Sequence, residues 1–277
     1  GSSIAAVAKT FMLLVAIGMT GSLVNVESAA ADELPKGRWV MEQVNAVDDG
    51  QYVTRKLSMK MIDKRGKERL RETVAHRKYF GEEKRTVLFY QSPRNVKGTG
   101  FLTFDYPDAT LDDDQWLYLP ALRKARRISA SDRGDYFLGT DFSYEDIKKE
   151  GKIEISDYDF KTLGRDVVDG REVILVEAIP VNKASAKELG YGKLVSWVDP
   201  SNWVVVKIQF WDVKLNEFKT LNASDIRLVD GIWTRHNLNV TNHKTGHYTE
   251  FVFSEVDYKS AVKDSVFSRQ SLTRGAR

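Results

Sequence analysis

Hydrophobic and polar residues alternate along most of the chain, and a period of two residues predicts β-strands. In residues 53–62, Leu57, Met59 and Met61 fall on one face, as in a strand with one buried side. We predict about ten or eleven such strands between residues 53 and 256. Other clear examples are residues 86–91, 100–106, 171–180 and 232–241.

Turn signals separate consecutive strand segments. Asp-Gly pairs at 169–170 and 230–231 join hydrophobic runs, and this arrangement is typical of β-hairpins. Residues 199–202 predict a type I turn, and residues 242–246 predict a longer hairpin loop. Strands joined by successive hairpins form an antiparallel sheet. The pattern therefore predicts a mainly β fold with one curved sheet, rather than βαβ units.

Helical periodicity is confined to short segments. Residues 36–47 place apolar side chains at helical spacing before an Asp-Asp-Gly stop signal. Ser143 and Asp146 form a capping-box pattern that predicts a short helix to about Lys149. Two further short helical turns are expected at 184–189 and 262–268.

The composition excludes several classes of protein. A chain of 277 residues with 42% hydrophobic and 11% aromatic residues is not disordered. The formal net charge is +3, from 42 basic and 39 acidic residues, so we predict no nucleic-acid partner. The absence of cysteine excludes disulfides, thiol catalysis and thiolate metal sites.

Residues 1–31 predict an export signal, with a remnant of a cloning vector at residues 1–3. Lys9 precedes an apolar run of about fourteen residues, which is shorter than the roughly twenty that a membrane-spanning helix needs. Ala29 and Ala31 fit a signal-peptidase site. We expect a periplasmic protein with one domain over residues 32–277. The alternative for the first segment is a membrane anchor.

Aromatic residues are concentrated in the predicted strands. A curved sheet with few helices can cover its apolar face by enclosing an apolar ligand. The candidates for a lipid-binding cavity or its mouth are Phe101, Phe104, Trp116, Tyr118, Leu119, Phe142, Trp197, Phe210 and Trp233. The alternative for each of them is an ordinary position in the core.

Motifs for catalysis, metals and cofactors are weak. Ser260-Ala-Val-Lys263 and Lys244-Thr-Gly246 resemble motifs of penicillin-binding enzymes, but their order is reversed and the S-D-N motif is missing. His243 and His247 have a metal-ligand spacing, but they lie in a predicted turn instead of a helix. We predict no enzyme activity, no metal site and no cofactor.

Residues 116–146 combine an aromatic strand, a basic pair and an acidic helix start. Strand alternation places Arg126 and Arg127 on opposite faces, so we expect at most one of them to pair with the acidic helix start. The alternative is an ordinary surface ion pair. The candidate lid or motif residues are Pro120, Arg126, Arg127, Asp141, Tyr144, Glu145 and Asp146.

This segment resembles the signature of outer-membrane lipoprotein-sorting-like proteins in the LolA/LolB-like superfamily. The resemblance rests on Trp116-x-Tyr-Leu-Pro120, the Arg-Arg pair, the octet Gly-Thr-Asp-Phe-Ser-Tyr-Glu-Asp at 139–146, and the ending at 267–275. It implies an incomplete β-barrel of about eleven strands with short helices as a lid over an apolar cavity. It also implies a lipid or acyl-chain ligand, transient membrane contact and association with an inner-membrane RND-type transporter. The lid-locking arginine of the general lipoprotein carrier matches no position in this sequence.

The leading hypothesis is a soluble periplasmic carrier that shields a lipid or lipoprotein acyl chain between the inner and outer membranes. Each buried CH₂ contributes about 0.8 kcal/mol, so one long chain can bind without covalent chemistry. The expected lid is the helix at 140–149. The alternative is a non-carrier accessory subunit that docks on an RND-type exporter, with its concave face packed shut. A hydrolase would need a nucleophile–base pair, which the sequence does not show.

Overall fold

The computed structural model describes residues 33–275, and the predicted export signal and vector remnant lie outside this range. The strands are β1 (Tyr52–Ile62), β2 (Glu68–Phe80), β3 (Glu83–Ser92), β4 (Gly100–Asp105), β5 (Asp114–Leu119), β6 (Lys124–Ile128), β7 (Tyr158–Val168), β8 (Arg171–Pro180), β9 (Lys193–Asp199), β10 (Val204–Trp211), β11 (Glu217–Val229), β12 (Ile232–Asn242) and β13 (His247–Asp257). The α-helices are α1 (Gly37–Ala46), α2 (Tyr144–Lys149), α3 (Lys183–Leu189) and α4 (Arg269–Arg274). Within residues 33–275, no helix has the length and hydrophobicity needed to span a membrane.

The strands form one antiparallel sheet in the order β6-β5-β4-β3-β2-β1-β13-β12-β11-β10-β9-β8-β7. Two meanders, β1–β6 and β7–β13, are joined by the pairing of β1 with β13. The sheet curves without closing, because β6 and β7 remain its two edges. The predicted mainly β, incomplete barrel is therefore confirmed. It has thirteen strands rather than about eleven, because even the short β6 at one edge pairs with its neighbour β5.

Irregular pairing helps to bend the sheet. The register shifts by a residue in five of the strand pairs, among them β1 with β13 and β9 with β10. Such bulges increase local twist and re-aim the side chains beside them. One of these shifts lies between Thr54 and Lys56, so that Arg55 sits at a bulge.

The long connection from β6 to β7 carries α2 onto one face of the sheet, here called the inner face. Phe137, Phe142 and Tyr144 from this connection pack in one core cluster with side chains of both meanders. Helix α1 packs beside it, with Val40, Met41 and Val44 against a cluster from β8, β9 and β10. The core is thus built from both meanders and the connection between them.

The chain after β13 covers part of the opposite face. Phe267 and Leu272 are buried against Val87, Phe89 and Leu102 of β3 and β4. This packing explains why apolar residues on both faces of the first meander are buried, whereas an uncovered sheet would bury one face only.

Most of the predicted helices and hairpins are confirmed. Helices α1, α2 and α3 lie within one to two residues of the predicted bounds, and the hairpins at 169–170 and 230–231 are present. The short helical turn predicted at 262–268 is present as the 3₁₀ turn Asp264–Val266. Helix α4, which was not predicted, starts after Ser268, whose hydroxyl accepts a hydrogen bond from the Ser271 N–H at 3.2 Å. This side chain supplies the N-cap that a helix start needs.

Candidate functional site

A cavity of about 250 Å³ lies between the inner face of the sheet and the helical segments. Its apolar lining includes Met41, Val44, Leu57, Ala75, Leu88, Phe142, Ile147, Leu194, Ile208, Phe210, Leu221, Leu238, Phe251 and Phe253. Charged residues also line the wall, namely Asp49, Arg55, Arg77, Glu145, Asp146, Lys149, Glu150, Lys152, Glu154 and Arg235. Trp233 also lines the cavity and is 38% exposed, so the cavity reaches the surface near this side chain.

The 139–146 octet is fixed to the inner face at Phe142 and Asp141. The Phe142 ring stacks on Phe251, with centroids 4.0 Å apart and planes inclined by 14°. The buried Asp141 carboxylate accepts a hydrogen bond from the Thr249 hydroxyl at 2.7 Å and lies 2.5 Å from His247 Nδ1. An aromatic stack and a hydrogen-bonded carboxylate together hold the octet against β13.

Lys219 on β11 adds a further contact to the octet. Its buried ammonium donates to the Asp141 carbonyl at 3.1 Å and to the Tyr191 hydroxyl at 3.3 Å. Aromatic rings surround it, with Phe210 nearest at 4.5 Å and Tyr191 at 5.0 Å from the ring centroids. Burial lowers the pKa of Lys219 below its ordinary value. Sequence reasoning missed this residue, because nothing in β11 alone indicates which aromatic rings the lysine meets.

Helix α2 begins with the predicted capping box. The Ser143 hydroxyl accepts from the Asp146 N–H at 3.1 Å, and the Asp146 carboxylate accepts from the Ser143 N–H at 2.8 Å. Two N–H groups that the helix cannot satisfy internally are thereby paired.

We expect Ser143→Ala to lower the free energy of unfolding by about 1 kcal/mol, because it removes the side chain that caps α2. Denaturant titration of the variant and the wild type measures this difference. Ser201→Ala is the control, since its hydroxyl bonds Asp199 in a turn between strands instead of capping a helix. An equal loss in both variants would contradict a specific role for the cap.

Ion pairs also anchor α2 to the segments around it. Glu145 contacts Lys148 at 2.6 Å, and Lys148 contacts Asp113 at 2.5 Å. Arg133 lies 3.6 Å from Glu145 and 2.8 Å from Asp157. Burial opposes ionisation of Glu145, but the neighbouring Lys148 and Arg133 outweigh it and lower its pKa.

The arginine that pairs with α2 is therefore Arg133 instead of Arg126 or Arg127. Arg127 contacts Asp114 on the adjacent strand at 2.5 Å and is largely exposed. Both predicted arginines lie on the edge strand β6, whereas Arg133 lies on the connection that leads to α2. Pro120, between β5 and β6, starts a 3₁₀ turn.

Arg77 on β2 ties the ends of both helical segments to the sheet. Its guanidinium donates to the carbonyl of Gly50 at 2.6 Å and to that of Asp49, and its Nε lies 3.4 Å from the Glu150 carboxylate. Glu150 follows α2, and Gly50 lies in the connection from α1 to β1. An arginine that links the helical segments to the sheet is therefore present, although the sequence alone did not identify one.

The predicted aromatic residues occupy three different environments. Phe142, Phe210 and Trp233 line the cavity. Phe101 is fully buried beside Phe137 and Tyr144, and Leu119 packs against the same core. Phe104, Trp116 and Tyr118 pack with the C-terminal segment, and Trp197 packs in a separate cluster with Val173, Val204 and Val206. Strand alternation sends these four rings to the other face, which the sequence pattern alone does not distinguish.

His243 and His247, which have a metal-ligand spacing, and the nearby His236 have separate partners. His243 lies 2.8 Å from the Thr220 hydroxyl, His236 lies 2.9 Å from the Asp225 carbonyl, and His247 contacts Asp141. Among residues 33–275, no group of three or more histidine, aspartate or glutamate side chains has an arrangement that could hold a metal ion.

Comparisons with known proteins agree with this architecture. A domain from Vibrio parahaemolyticus described as an outer membrane lipoprotein-sorting protein is 30% identical, with a TM-score of 0.77, and the match covers 86% of this chain and 98% of that domain. A DUF1329 family protein from Desulfovibrio piger is 29% identical, with a TM-score of 0.78 and coverages of 85% and 97%. A LolA superfamily protein from Nitrosomonas europaea shares the fold at 16% identity, with a TM-score of 0.65 and coverages of 86% and 100%.

A family model described as "uncharacterized protein" matches residues 82–274. No curated protein matches the chain. The family model covers more than half of the chain and includes the octet, α2 and the C-terminal segment. Together with the Vibrio domain, it shows that this chain belongs to the outer-membrane lipoprotein-sorting-like proteins, and the chain shares the fold of the LolA superfamily protein.

Proposed function

We propose that the protein is a periplasmic carrier that binds a lipid or lipoprotein acyl chain in the cavity and transfers it between the inner and outer membranes. The observation that carries this proposal is the cavity itself, whose lining includes apolar side chains from α1, α2 and both meanders. Its volume of about 250 Å³ lies just below the roughly 300–1,000 Å³ of typical small-molecule sites. The volume suits a segment of one acyl chain, with further space available only if α2 moves.

The cavity favours the carrier over the accessory-subunit alternative. A subunit that served only to dock on a membrane transporter would have no need for an unfilled apolar space beneath its helices. Unfilled apolar volume costs stability, because the side chains around it lose contacts. The inner-membrane RND-type partner stays a prediction, as do the transient membrane contact and the export signal.

The lid role that we propose for α2 has a structural cost. Opening it would separate Glu150 from Arg55 and Arg77, and would expose Phe142 and Tyr144. Burial of the ligand has to offset this cost. Each buried CH₂ contributes about 0.8 kcal/mol, so a long acyl chain can supply enough free energy.

Native mass spectrometry of protein purified from a Gram-negative host, followed by organic extraction, tests the carrier directly. We expect a discrete adduct of lipid mass. After delipidation, the neutral probe N-phenyl-1-naphthylamine should bind, and hexadecanol should displace it. A clean apo mass together with no probe binding would contradict the carrier and favour the accessory subunit.

Filling the cavity is expected to reduce acyl-chain binding. Ala75 is buried at the cavity wall, so Ala75→Phe places a ring in the space that the chain would occupy. We expect at least about a tenfold loss of hexadecanol affinity, with an overpacking cost of about 1–3 kcal/mol in stability. Ala125→Phe on β6, outside the cavity wall, is the control and should leave the affinity unchanged. Equal affinities in the two variants would contradict binding in this cavity.

A further inference from the structure

Basic and apolar side chains adjoin on two neighbouring strands of the inner face, β1 and β2. Arg55 precedes Leu57 on β1 by two residues, and Ala75 precedes Arg77 on β2 by two residues. Ala75 is paired with Arg55 on one side and with Leu88 of β3 on the other. Side chains two residues apart share a face and are separated by about 7 Å along the strand. The cavity therefore has an apolar part and, about 7 Å further along the strands, a charged part.

Three arginines of the charged part lie around Glu150. We call Arg55, Arg77 and Arg235 the basic end of the cavity. Glu150 is the carboxylate that they face, and it lies 3.1 Å from Arg55 Nη2 and 3.4 Å from Arg77 Nε. Lys84 is buried behind them and donates to the Lys149 carbonyl at 2.7 Å. A second carboxylate, that of Asp49, lies near Arg77 and pairs with Lys152 at 3.5 Å. Arg55 and Arg235 therefore share Glu150 as their nearby carboxylate among the described residues.

Arg235 has no carboxylate within ion-pair distance among residues 33–275. Its Nη1 donates to the Val205 carbonyl at 3.2 Å, and its Nη2 lies beside Gly151, only 2.2 Å from where a Cβ would be. Burial and the nearby charge of Arg55 lower the pKa of Arg235 to about 10. Burying a guanidinium next to a second guanidinium costs free energy, and an anion placed between them would offset this cost.

Arg55 also has unused hydrogen-bonding capacity. Its Nε is buried and has no partner among the described residues, and its guanidinium lies 4.5 Å from the centroid of the Phe253 ring. Phe253 lines the cavity, so the donor is next to the apolar part. A buried donor without an acceptor costs about 1–3 kcal/mol unless an acceptor is supplied.

We propose that the basic end binds the anionic group, a carboxylate or a phosphate, of an amphiphile whose chain lies in the apolar part of the cavity. This inference rests on the proposed carrier function and specifies its ligand class. Arg55 and Arg235 bind the anion, because the planar guanidinium donates two parallel hydrogen bonds to such groups. Arg77 contributes charge while it keeps its contacts to Glu150 and the carbonyl groups.

Head-group preference in the delipidated wild-type protein tests this proposal without any variant. Hexadecanoate, hexadecyl phosphate, hexadecanol and hexadecyltrimethylammonium each compete for N-phenyl-1-naphthylamine at neutral pH. The chains are equal in length, so differences in affinity report the head group. We expect both anions to bind at least about tenfold tighter than the alcohol, and the cation to bind weakest. Equal affinities for acid, phosphate and alcohol would overturn the anion site and leave the carrier intact.

Arg235→Met provides the site-specific test. We expect it to abolish the preference for anions while the affinity for hexadecanol is kept. Its melting temperature should not fall, because methionine replaces a buried cation that lacks a carboxylate partner. The control is Arg227→Met, since Arg227 is mostly exposed and pairs with Asp225 at 3.1 Å. An Arg235→Met protein that is less stable and still prefers hexadecanoate would show a structural role and overturn the proposal.

Inorganic phosphate distinguishes a free anion from a lipid head group. If phosphate alone raises the melting temperature of the wild type but not of Arg235→Met, the site accepts a free anion. If only the anionic amphiphiles raise the melting temperature of the wild type and not that of Arg235→Met, the site requires the attached chain. If no amphiphile displaces the probe, the carrier fails, and the phosphate measurement alone then decides the anion site. If phosphate then fails to raise the melting temperature of the wild type, the anion site is overturned as well.

Discussion

Glu150→Gln is expected to lower the free energy of unfolding by about 3–5 kcal/mol, the largest loss that we predict for a charged residue in this protein. The substitution keeps the shape of the side chain but removes the carboxylate that faces Arg55 and Arg77. The largely buried Arg55 guanidinium would then lose the carboxylate with which it pairs at 3.1 Å. Glu42→Gln is the control, because Glu42 and Arg38 form an exposed pair on α1, and such pairs contribute about 0–1 kcal/mol.

The dependence of stability on pH tests the same interaction independently. Burial disfavours the Glu150 carboxylate, but Arg55, Arg77 and Lys84 outweigh burial and lower its pKa to about 2, compared with 4.5 as the ordinary value. A carboxylate with a lowered pKa in the folded state stabilises the protein above its unfolded pKa. This contribution, on the order of 3 kcal/mol, is lost as the pH falls from about 4.5 to about 2.

Denaturant titrations of both proteins between pH 6 and pH 2 measure this effect, although other carboxylates titrate there too. We expect the difference between the wild type and Glu150→Gln to be largest near pH 6 and to shrink as Glu150 becomes protonated. A difference below about 1 kcal/mol at pH 6 would show that solvent already screens this pair, as it does for exposed ion pairs. A constant difference down to pH 2 would contradict the lowered pKa.

Phe142→Ala is expected to cost a further 3–5 kcal/mol, about the usual range for a buried phenylalanine. Phe142 is 3% exposed and stacks on Phe251, so the substitution removes apolar burial and an aromatic contact together. It also enlarges the cavity that the ring borders. Phe142→Leu is the matched variant, because it keeps most of the volume and loses the stack. We expect a loss of about 1–2 kcal/mol for it.

Hydrogen exchange locates the effect of the Phe142 substitutions. The amide of Asp141 donates to the Thr249 hydroxyl at 3.0 Å and should exchange faster in Phe142→Ala if the ring fixes the octet to β13. The amides at the centre of the β7–β8 hairpin serve as the internal reference and should change only by the global loss of stability. Uniform acceleration at both places would show that Phe142 contributes to the core without holding the octet.

The sequence predicted the local elements well because hairpins and caps depend on neighbouring residues. Asp-Gly at 169–170 and 230–231 requires a tight turn, and β7–β8 and β11–β12 pair across these turns. The capping box of Ser143 and Asp146 spans only three residues and fixes the start of α2. In contrast, helix α4 was not predicted, because the C-terminal segment takes its place by packing on β3 and β4.

Long-range arrangement decided the rest. The pairing of β1 with β13 joins strands at opposite ends of the chain and converts two meanders into one curved sheet. The face that each aromatic residue occupies depends on this pairing and on bulges that shift the register by one residue. Trp116 and Trp197 therefore face away from the cavity, whereas Phe210 lines it, although side chains alternate between the two faces in the same way on all three strands.

The sequence by itself determined a mainly β protein with one antiparallel sheet and a capped α2. Only the tertiary structure decided that Arg55, Arg77 and Arg235 meet Glu150 beside an apolar cavity. These residues lie on three strands and one connection, separated by up to 180 positions in the chain. No local sequence pattern predicts this arrangement of side chains. It follows from strand order, register and curvature, which the whole chain fixes together.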